Sequence, residues 1–140
     1  MSAARYQLGD ELAGSIMRAT DRRLRREVAV KVLAGDDAER FEREAKLIAG
    51  LQHPGIVPVH DAGRTAEGRP FYSMKLVAGR TLREAMVAGA DPGELLPHVQ
   101  AAADAVAYAH SRGVVHGDLE PANVLVGAFG ETLVIDWGQA

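Results

Sequence analysis

The feature that most constrains this chain is a stretch near its end, where two carboxylates and an amide stand beside two short apolar runs. Asp118 and Asn123 precede the run 124–126, and Asp136 ends the run 133–135. Glycines between the runs predict a hairpin in which the two runs pair as strands. We expect the three polar side chains to converge at one rim of that hairpin. Oxygen ligands gathered in this way suit a hard cation such as Mg²⁺.

Length and composition bound the remaining possibilities. The chain has 140 residues, of which 47% are hydrophobic, so one globular domain is expected. A net charge of -3 gives no basic field, and we therefore expect no nucleic-acid partner. The absence of cysteine excludes disulfides and thiolate metal sites and fits a cytoplasmic protein. No run is long and apolar enough to predict a membrane segment.

Apolar runs in the first half of the chain predict strands. We expect strands over 6–12, 16–20 and 27–33, a fourth entered from residue 56, and a fifth over 71–77. Lys31 lies inside the third run. A lysine in an apolar strand is usually an edge residue whose ammonium group reaches water.

One helix is predicted between the third and fourth strands. Asp36 and Glu39 have the spacing of a capping box, which predicts a helix from about residue 37 to 51 with Asp36 as N-cap. An apolar stripe follows at helical spacing, and Glu44 lies beside it. By itself this glutamate would be solvated or paired with a basic neighbour. The stripe consists of Phe41, Ala45, Ile48 and Leu51.

Further helices are predicted in the second half. Thr81 and Glu84 form a second capping box at the start of a short helix. After a turn at 91–93, an alanine-rich helix is expected from about residue 94 to 112, with Gly113 at its C′ position. Its predicted buried face consists of Leu95, Val99, Ala102, Ala103 and Val106.

The order and spacing of these motifs resemble the protein kinases. H-G-D-L-E-P-A-N followed by D-W-G is similar to the kinase catalytic loop H-R-D-x-x-x-x-N and the D-F-G motif, and V-A-V-K is similar to V-A-I-K. REVAVKVL, HPGIVPVHDAG and EGRPFYSMKLVAGRTL look like bacterial serine/threonine kinases of the eukaryotic type. The resemblance implies an α+β fold: an antiparallel β N-lobe with one main helix and the hinge over 1–77, and the start of a helical C-lobe over 78–140.

The same resemblance implies a role for each motif residue in ATP-dependent phosphoryl transfer to serine or threonine hydroxyls of a protein substrate. Asp118 would orient the hydroxyl and accept its proton. Lys31, held by Glu44, would contact the α- and β-phosphates of ATP. Asn123 and Asp136 would hold Mg²⁺.

A nucleotide pocket is also implied by the resemblance. Met74 would be the gatekeeper beside the adenine, and the backbone of Lys75 and Val77 would meet the adenine edge. The other residues that would line the nucleotide site are Ala29, Gly14 and Leu125. A column of packed side chains is implied as well, formed by Ile48, Val59, His116 and Trp137.

The chain departs from the kinase pattern at several positions. In the first hairpin only Gly14 could stand for a glycine of the phosphate-covering G-x-G-x-x-G loop. Glu120 stands where these kinases usually place a lysine near the γ-phosphate, and Gly117 replaces the loop arginine. The chain stops two residues after Gly138, so we expect it to lack an activation segment and the platform for a protein substrate.

Three functions are compatible with this pattern. The leading hypothesis is a serine/threonine kinase fragment. The second is a pseudokinase that binds nucleotide or protein without catalysis, which the short glycine loop and Glu120 favour. A small-molecule phosphotransferase of related fold is the third, and the HPGIV and hinge phrases argue against it. We expect the chain as given to transfer little phosphate while weak Mg²⁺-nucleotide binding survives.

Overall fold

The protein is described here by a computed structural model covering residues 5–13 and 15–140. An antiparallel sheet occupies the first half, with the strand order β1-β2-β3-β5-β4. Its strands are β1 (Tyr6–Ala13), β2 (Ile16–Asp21), β3 (Arg26–Val32), β4 (Val59–Arg64) and β5 (Pro70–Lys75). A smaller antiparallel sheet has the order β6-β7-β8, formed by β6 (Gly79–Thr81), β7 (Val124–Gly127) and β8 (Thr132–Val134).

Helices lie between strands along the chain, in the order predicted. They are α1 (Ala38–Ala49), α2 (Leu82–Val87) and α3 (Pro92–Ser111), together with one 3₁₀ turn at Pro121–Asn123. Within the described parts of the chain, no helix combines the length and hydropathy needed to cross a membrane. The α+β class and the antiparallel first sheet are as the sequence predicted.

The chain divides into two compact units. The first unit consists of the residues up to Ala49 and of Pro58–Leu76. The second unit consists of residues 50–57 and of Val77–Ala140. The segment 50–57 joins the second unit because Ile56 bridges Val134, whose amide also donates to the Gly55 carbonyl at 2.7 Å. The lobe boundary inferred from the sequence at residue 77 stays a prediction.

The first unit is organised around β3, which lies between β2 and β5. Val28, Ala29 and Val30 are all buried, and because successive side chains point to opposite faces of a sheet, both faces of β3 are covered at this point. Val28 and Val30 pack with residues of the neighbouring strands in one apolar cluster. This placement makes β3 a rigid support for Lys31, the next residue along the strand.

The cap of α1 differs from the sequence prediction by one residue. The Arg40 amide donates to the Asp37 carboxylate at 3.0 Å, so Asp37 and not Asp36 is the N-cap. Glu39 is then at N2 rather than at N3, and the predicted capping box at Asp36 is wrong. The helix also ends at Ala49, two residues before the predicted end.

The predicted cap of α2 is confirmed, whereas α3 begins earlier than predicted. Thr81 and Glu84 form the predicted capping box, with hydrogen bonds of 2.9 and 3.0 Å. The predicted turn at 91–93 is instead the start of α3, because the Asp91 carboxylate accepts the Gly93 amide at 2.9 Å and Pro92 occupies N1. Gly113 has φ +78°, as expected for a C′ residue.

The buried face of α3 is rotated from the predicted one. Ala102, Ala105 and Ala109 are buried, whereas Val99 is 49% exposed and Ala103 is also exposed. A Cβ placed on Gly55 would lie 2.8 Å from the Ala105 Cβ. The helix therefore turns its smallest residues toward the segment 50–57, since only small side chains permit so close an approach, and its larger Val99 faces outward.

Candidate active site

The first part of the candidate site joins a strand to a helix. Lys31 on β3 and Glu44 on α1 form an ion pair, with 2.8 Å between Nζ and Oε2. Their side chains are 18% and 8% exposed, so the pair is largely removed from water. Glu44 reaches Lys31 because it lies on the buried face of α1, beside Phe41 and Ala45. The predicted pairing of these two residues is confirmed.

Tyr72 belongs to the same group and was missed by the sequence analysis. Its hydroxyl donates to Glu44 Oε2 at 2.5 Å, and it is the cross-strand partner of Lys31 between β3 and β5. The Lys31 ammonium lies 5.9 Å from the Tyr72 ring centroid and 6.0 Å from that of Phe41. The available signal was a tyrosine inside the apolar run 70–74, because a buried tyrosine hydroxyl usually requires a polar partner.

The residues assigned to the adenine by resemblance occupy the same part of the sheet in the first unit. Ala29 and Met74 are cross-strand partners and both are buried. Lys75 is exposed, and its amide donates to the Pro58 carbonyl at 3.2 Å. That amide is therefore engaged within the fold, and the contact of the Lys75 backbone with adenine stays a prediction.

Backbone pairing in the first hairpin is described up to Ala13 on β1 and from Ser15 onward. The Ala13 backbone pairs with Ile16, and the Ser15 carbonyl accepts the Val32 amide at 3.1 Å. Gly14, which was assigned to the nucleotide, lies outside the described residues. Strand pairing of β1 and β2 thus extends to Ala13 and Ile16, with irregularities in register between Leu8 and Ala13.

The second part of the candidate site is the catalytic loop of the second unit. His116 is buried and holds the loop at two points: its Nε2 lies 2.8 Å from the Ile135 carbonyl, and its Nδ1 accepts the Asp118 amide at 3.1 Å. This pattern requires the proton on Nε2, because a carbonyl can only accept. The Asp118 side chain is exposed on a backbone that the buried histidine fixes.

Asn123 connects the loop to the segment that follows β8. Its Nδ2 donates to the Asp118 carbonyl at 2.8 Å, and its own carbonyl accepts the Ile135 amide at 2.9 Å. Asn123 is thus bound to Asp118 and to the residue before Asp136. Because Nδ2 is the donor, Oδ1 is the amide atom suited to a cation.

Asp136 stands on an anchored and unusual backbone. Its φ is +60°, in the left-handed region that aspartate adopts more readily than most residues. Trp137 follows with 1% exposure; its ring packs edge-on against His116 at 4.6 Å, and its Nε1 donates to the Val134 carbonyl at 3.3 Å. Asp136 therefore projects an exposed carboxylate from a segment that its neighbour holds in place.

An amide oxygen on Asn123 and a carboxylate on Asp136 are the donor types that a hard divalent cation takes. No group of three or more Asp, Glu or His side chains in the described ranges is arranged to hold a metal. A cation at Asn123 and Asp136 would therefore complete its coordination with phosphate and water oxygens, as Mg²⁺ commonly does.

The remaining assigned residues lie on the smaller sheet or just before it. Leu125 is half-buried on β7, paired with Thr81 on one side and Leu133 on the other. Val77 is half-buried and precedes β6. Of the predicted side-chain column, the His116–Trp137 contact is present, and the column as a whole stays a prediction.

The glycine that replaces the loop arginine is required by the local backbone. Gly117 has φ +87°, and a Cβ at this position would lie 2.8 Å from the Gln139 carbonyl oxygen. A larger residue would need both a strained conformation and a shift of the segment after Trp137. Glu120, three residues later, is exposed at the start of the 3₁₀ turn.

Comparison with known proteins gives concordant results. The model of the protein kinase domain family matches residues 3–140. The DNA damage-responsive serine/threonine-protein kinase RqkA of Deinococcus radiodurans is 40% identical over 97% of this chain and 22% of its own length. The serine/threonine-protein kinase PknB of Mycobacterium leprae is 38% identical over 97% of this chain and 24% of its own length.

Solved structures point the same way. Two crystal structures of the Mycobacterium tuberculosis PknI kinase domain match the whole chain with TM-scores of 0.80 and 0.78, at 33% and 32% identity. The chain spans 62% of those kinase-domain chains and about a quarter of the length of the curated relatives. Kinases of this kind use ATP and a divalent metal ion. The match to the family model over nearly all its residues shows that the chain belongs to the protein kinase family.

Proposed function

We propose that this chain provides the nucleotide-positioning and catalytic residues of a serine/threonine kinase, which transfers phosphate from Mg²⁺-ATP to protein hydroxyls. The observation that carries the proposal is the largely buried ion pair between Lys31 and Glu44 at 2.8 Å. Kinases need this pair in place to set the lysine on the α- and β-phosphates. The relatives named as serine/threonine-protein kinases support the same assignment.

Asp118 is proposed to orient the substrate hydroxyl and accept its proton. Its carboxylate is exposed and can meet a substrate, while its amide and carbonyl are tied to His116 and Asn123. A fixed backbone under an exposed carboxylate provides the positioning on which phosphoryl transfer depends.

Asn123 and Asp136 are proposed to hold Mg²⁺, with the phosphates of ATP supplying further oxygens. The bond from Asn123 Nδ2 to the Asp118 carbonyl supports this, because it orients the amide oxygen for a ligand. The residues proposed to line the adenine and ribose are Ala29, Gly14, Met74, Lys75, Val77 and Leu125.

The test is transfer of labelled phosphate from ATP to a generic serine/threonine peptide, with and without Mg²⁺. Asp118→Asn and Lys31→Met should each lower the rate by at least about 100-fold, the size of effect seen when one preorganised catalytic group is removed. Asp104→Asn, an exposed acid on α3, is the matched control and should change nothing. Transfer that survives Asp118→Asn at full rate would contradict the proposal.

A pseudokinase is the second candidate, and two observations favour it. Glu120 places a carboxylate where negative charge would accumulate on the transferring phosphate, and strand pairing of β1 and β2 extends to Ala13 and Ile16. This candidate predicts Mg²⁺-dependent nucleotide binding without turnover in the unmodified chain. Recovery of transfer in Glu120→Lys would assign the defect to that charge and restore the kinase assignment.

A further inference from the structure

The buried hydroxyl of Tyr72 has no role in the mechanism described above. We propose that Tyr72 is a positioning residue, which holds Glu44 in the orientation that pairs with Lys31. The inference deepens the proposed function and rests on it for its catalytic consequence. Its geometric part concerns the first unit alone.

Tyr72 and Lys31 both donate to the same carboxylate oxygen of Glu44. Tyr72 Oη donates to Glu44 Oε2 at 2.5 Å, and Lys31 Nζ donates to the same oxygen at 2.8 Å. Tyr72 is 2% exposed and Glu44 8%, so little water is available to replace either donor. A buried carboxylate that loses a donor carries a desolvation cost, and this cost favours its rotation out of the site.

The two donors differ in what they do when a nucleotide binds. The Lys31 ammonium would turn part of its hydrogen-bonding capacity to the phosphates. The Tyr72 hydroxyl is not among the groups that the proposed reaction draws to the phosphates, so we expect its bond to Glu44 to persist when the nucleotide binds. Tyr72 would therefore keep Glu44 in place when the Lys31 ammonium divides its hydrogen bonds between Glu44 and the phosphates.

Tyr72 also meets α1 at two points three residues apart. Its ring lies 5.3 Å from the Phe41 ring, and its hydroxyl bonds Glu44. Residues three apart lie on one face of a helix, so the two contacts together fix the rotation of that face. The ring contact alone would fix the distance of α1 from the sheet but would leave Glu44 free to change its side-chain rotamer.

A second buried tyrosine provides a matched control in the same unit. The Tyr6 hydroxyl lies 3.0 Å from the Asp61 carboxylate and 3.1 Å from the Ser73 hydroxyl. Tyr6→Phe thus removes a buried tyrosine hydroxyl of similar surroundings and leaves the Glu44 group intact. Comparing the two substitutions separates positioning of Glu44 from a general loss of buried hydrogen bonds.

The kinetic experiment compares Tyr72→Phe with Tyr6→Phe. Tyr72→Phe should raise the apparent KM for Mg²⁺-ATP, and the Kd of a fluorescent ATP analogue, by about ten-fold, as expected for a lost hydrogen bond to a charged group. It should change kcat much less. Tyr6→Phe should leave both constants within about two-fold of the unmodified chain. Equal effects of the two substitutions on nucleotide affinity would overturn the proposal.

A spectroscopic measurement tests the geometry without any activity. The unmodified chain should show a slowly exchanging, downfield hydroxyl proton in its ¹H NMR spectrum. That resonance should vanish in Tyr72→Phe, move in Glu44→Gln and persist in Tyr6→Phe. Its absence from the unmodified chain would overturn the proposal. If the resonance and the affinity change are present but no phosphate is transferred, the proposed function fails and the positioning role of Tyr72 stands.

Discussion

Each part of the candidate site is stabilised within its own unit, and the means differ between the two. In the first unit, Lys31, Glu44 and Tyr72 meet through side-chain atoms that come from three different elements. In the second, Asp118 and Asp136 are exposed, and the fold instead grips the backbone on which they stand. The first arrangement can be undone by changing one functional group, whereas the second distributes its support over several bonds.

This difference predicts where single substitutions should act. Removing a donor from Glu44 changes the site directly and leaves the sheet in place. Changing the supports of the catalytic loop, such as His116 or Trp137, alters the fold of the unit before it alters any reacting group. Substitutions in the first part should therefore act mainly on nucleotide affinity, and substitutions in the second part mainly on stability.

The largest effect is expected from Trp137→Ala. Trp137 is 1% exposed and packs on His116, so its loss should lower the free energy of unfolding by about 3–5 kcal/mol. Urea unfolding measures this. Phe129→Ala, at a side chain that is 93% exposed, should stay within about 0.5 kcal/mol. A loss below about 1 kcal/mol at Trp137 would show that the backbone bonds hold the loop without this anchor.

A smaller effect is expected at the backbone of the loop. Gly117 and Gly113 both have positive φ, +87° and +78°, but only at Gly117 would a Cβ meet an atom outside its own neighbours, the Gln139 oxygen at 2.8 Å. Gly113→Ala should cost about 1–2 kcal/mol for the left-handed conformation alone. Gly117→Ala should cost about 1 kcal/mol more. Equal losses in urea unfolding would contradict the close contact.

A double-mutant cycle measures how strongly the buried ion pair of the first unit contributes to stability. Lys31→Met and Glu44→Gln should show a coupling energy of about 2 kcal/mol in urea unfolding, because the pair is largely buried. The matched pair Arg18–Glu27, at 3.3 Å with side chains 42% and 59% exposed, should couple by less than about 0.5 kcal/mol. Similar coupling energies for the two pairs would remove the distinction between buried and exposed ion pairs here.

Acid should weaken the first unit through a separate side-chain contact. Arg5 donates two hydrogen bonds of 2.9 Å to Asp21, which lower the pKa of that carboxyl from 3.8 to about 2. A carboxyl with a lowered pKa stabilises the fold fully above about pH 4 and loses this contribution as the pH falls toward 2. The expected loss is about 1–2 kcal/mol. Asp21→Asn should abolish this part of the pH dependence, and an unchanged acid profile would contradict the assignment.

The sequence predicted the motifs and their elements, because chemistry-bearing residues at fixed spacing leave few alternatives. The third strand was predicted with Lys31 inside it, and the resemblance paired Lys31 with Glu44 correctly, although the residues alone put Glu44 only beside the apolar stripe of α1. It failed where neighbouring residues compete for one role. Asp36 and Asp37 can both cap a helix, and only the path of the chain decides for Asp37.

Tertiary packing decided the other errors. The predicted buried face of α3 included Val99 and Ala103, but the close approach of Gly55 brings Ala105 to the buried side instead. The apolar run around Tyr72 indicated that its hydroxyl needs a polar partner, but no local pattern identifies that partner as Glu44, which lies 28 positions away.

The double attachment of Asn123 has a consequence for how such chains change over generations. Its side-chain amide fastens the Asp118 carbonyl and its backbone carbonyl fastens Ile135, so the residue supports the fold whether or not a cation is ever bound. Any residue would supply the backbone bond, but the side-chain bond needs the amide, so a descendant that had lost phosphoryl transfer would still have a structural reason to keep this asparagine. Its persistence in a sequence therefore does not by itself show that catalysis has survived.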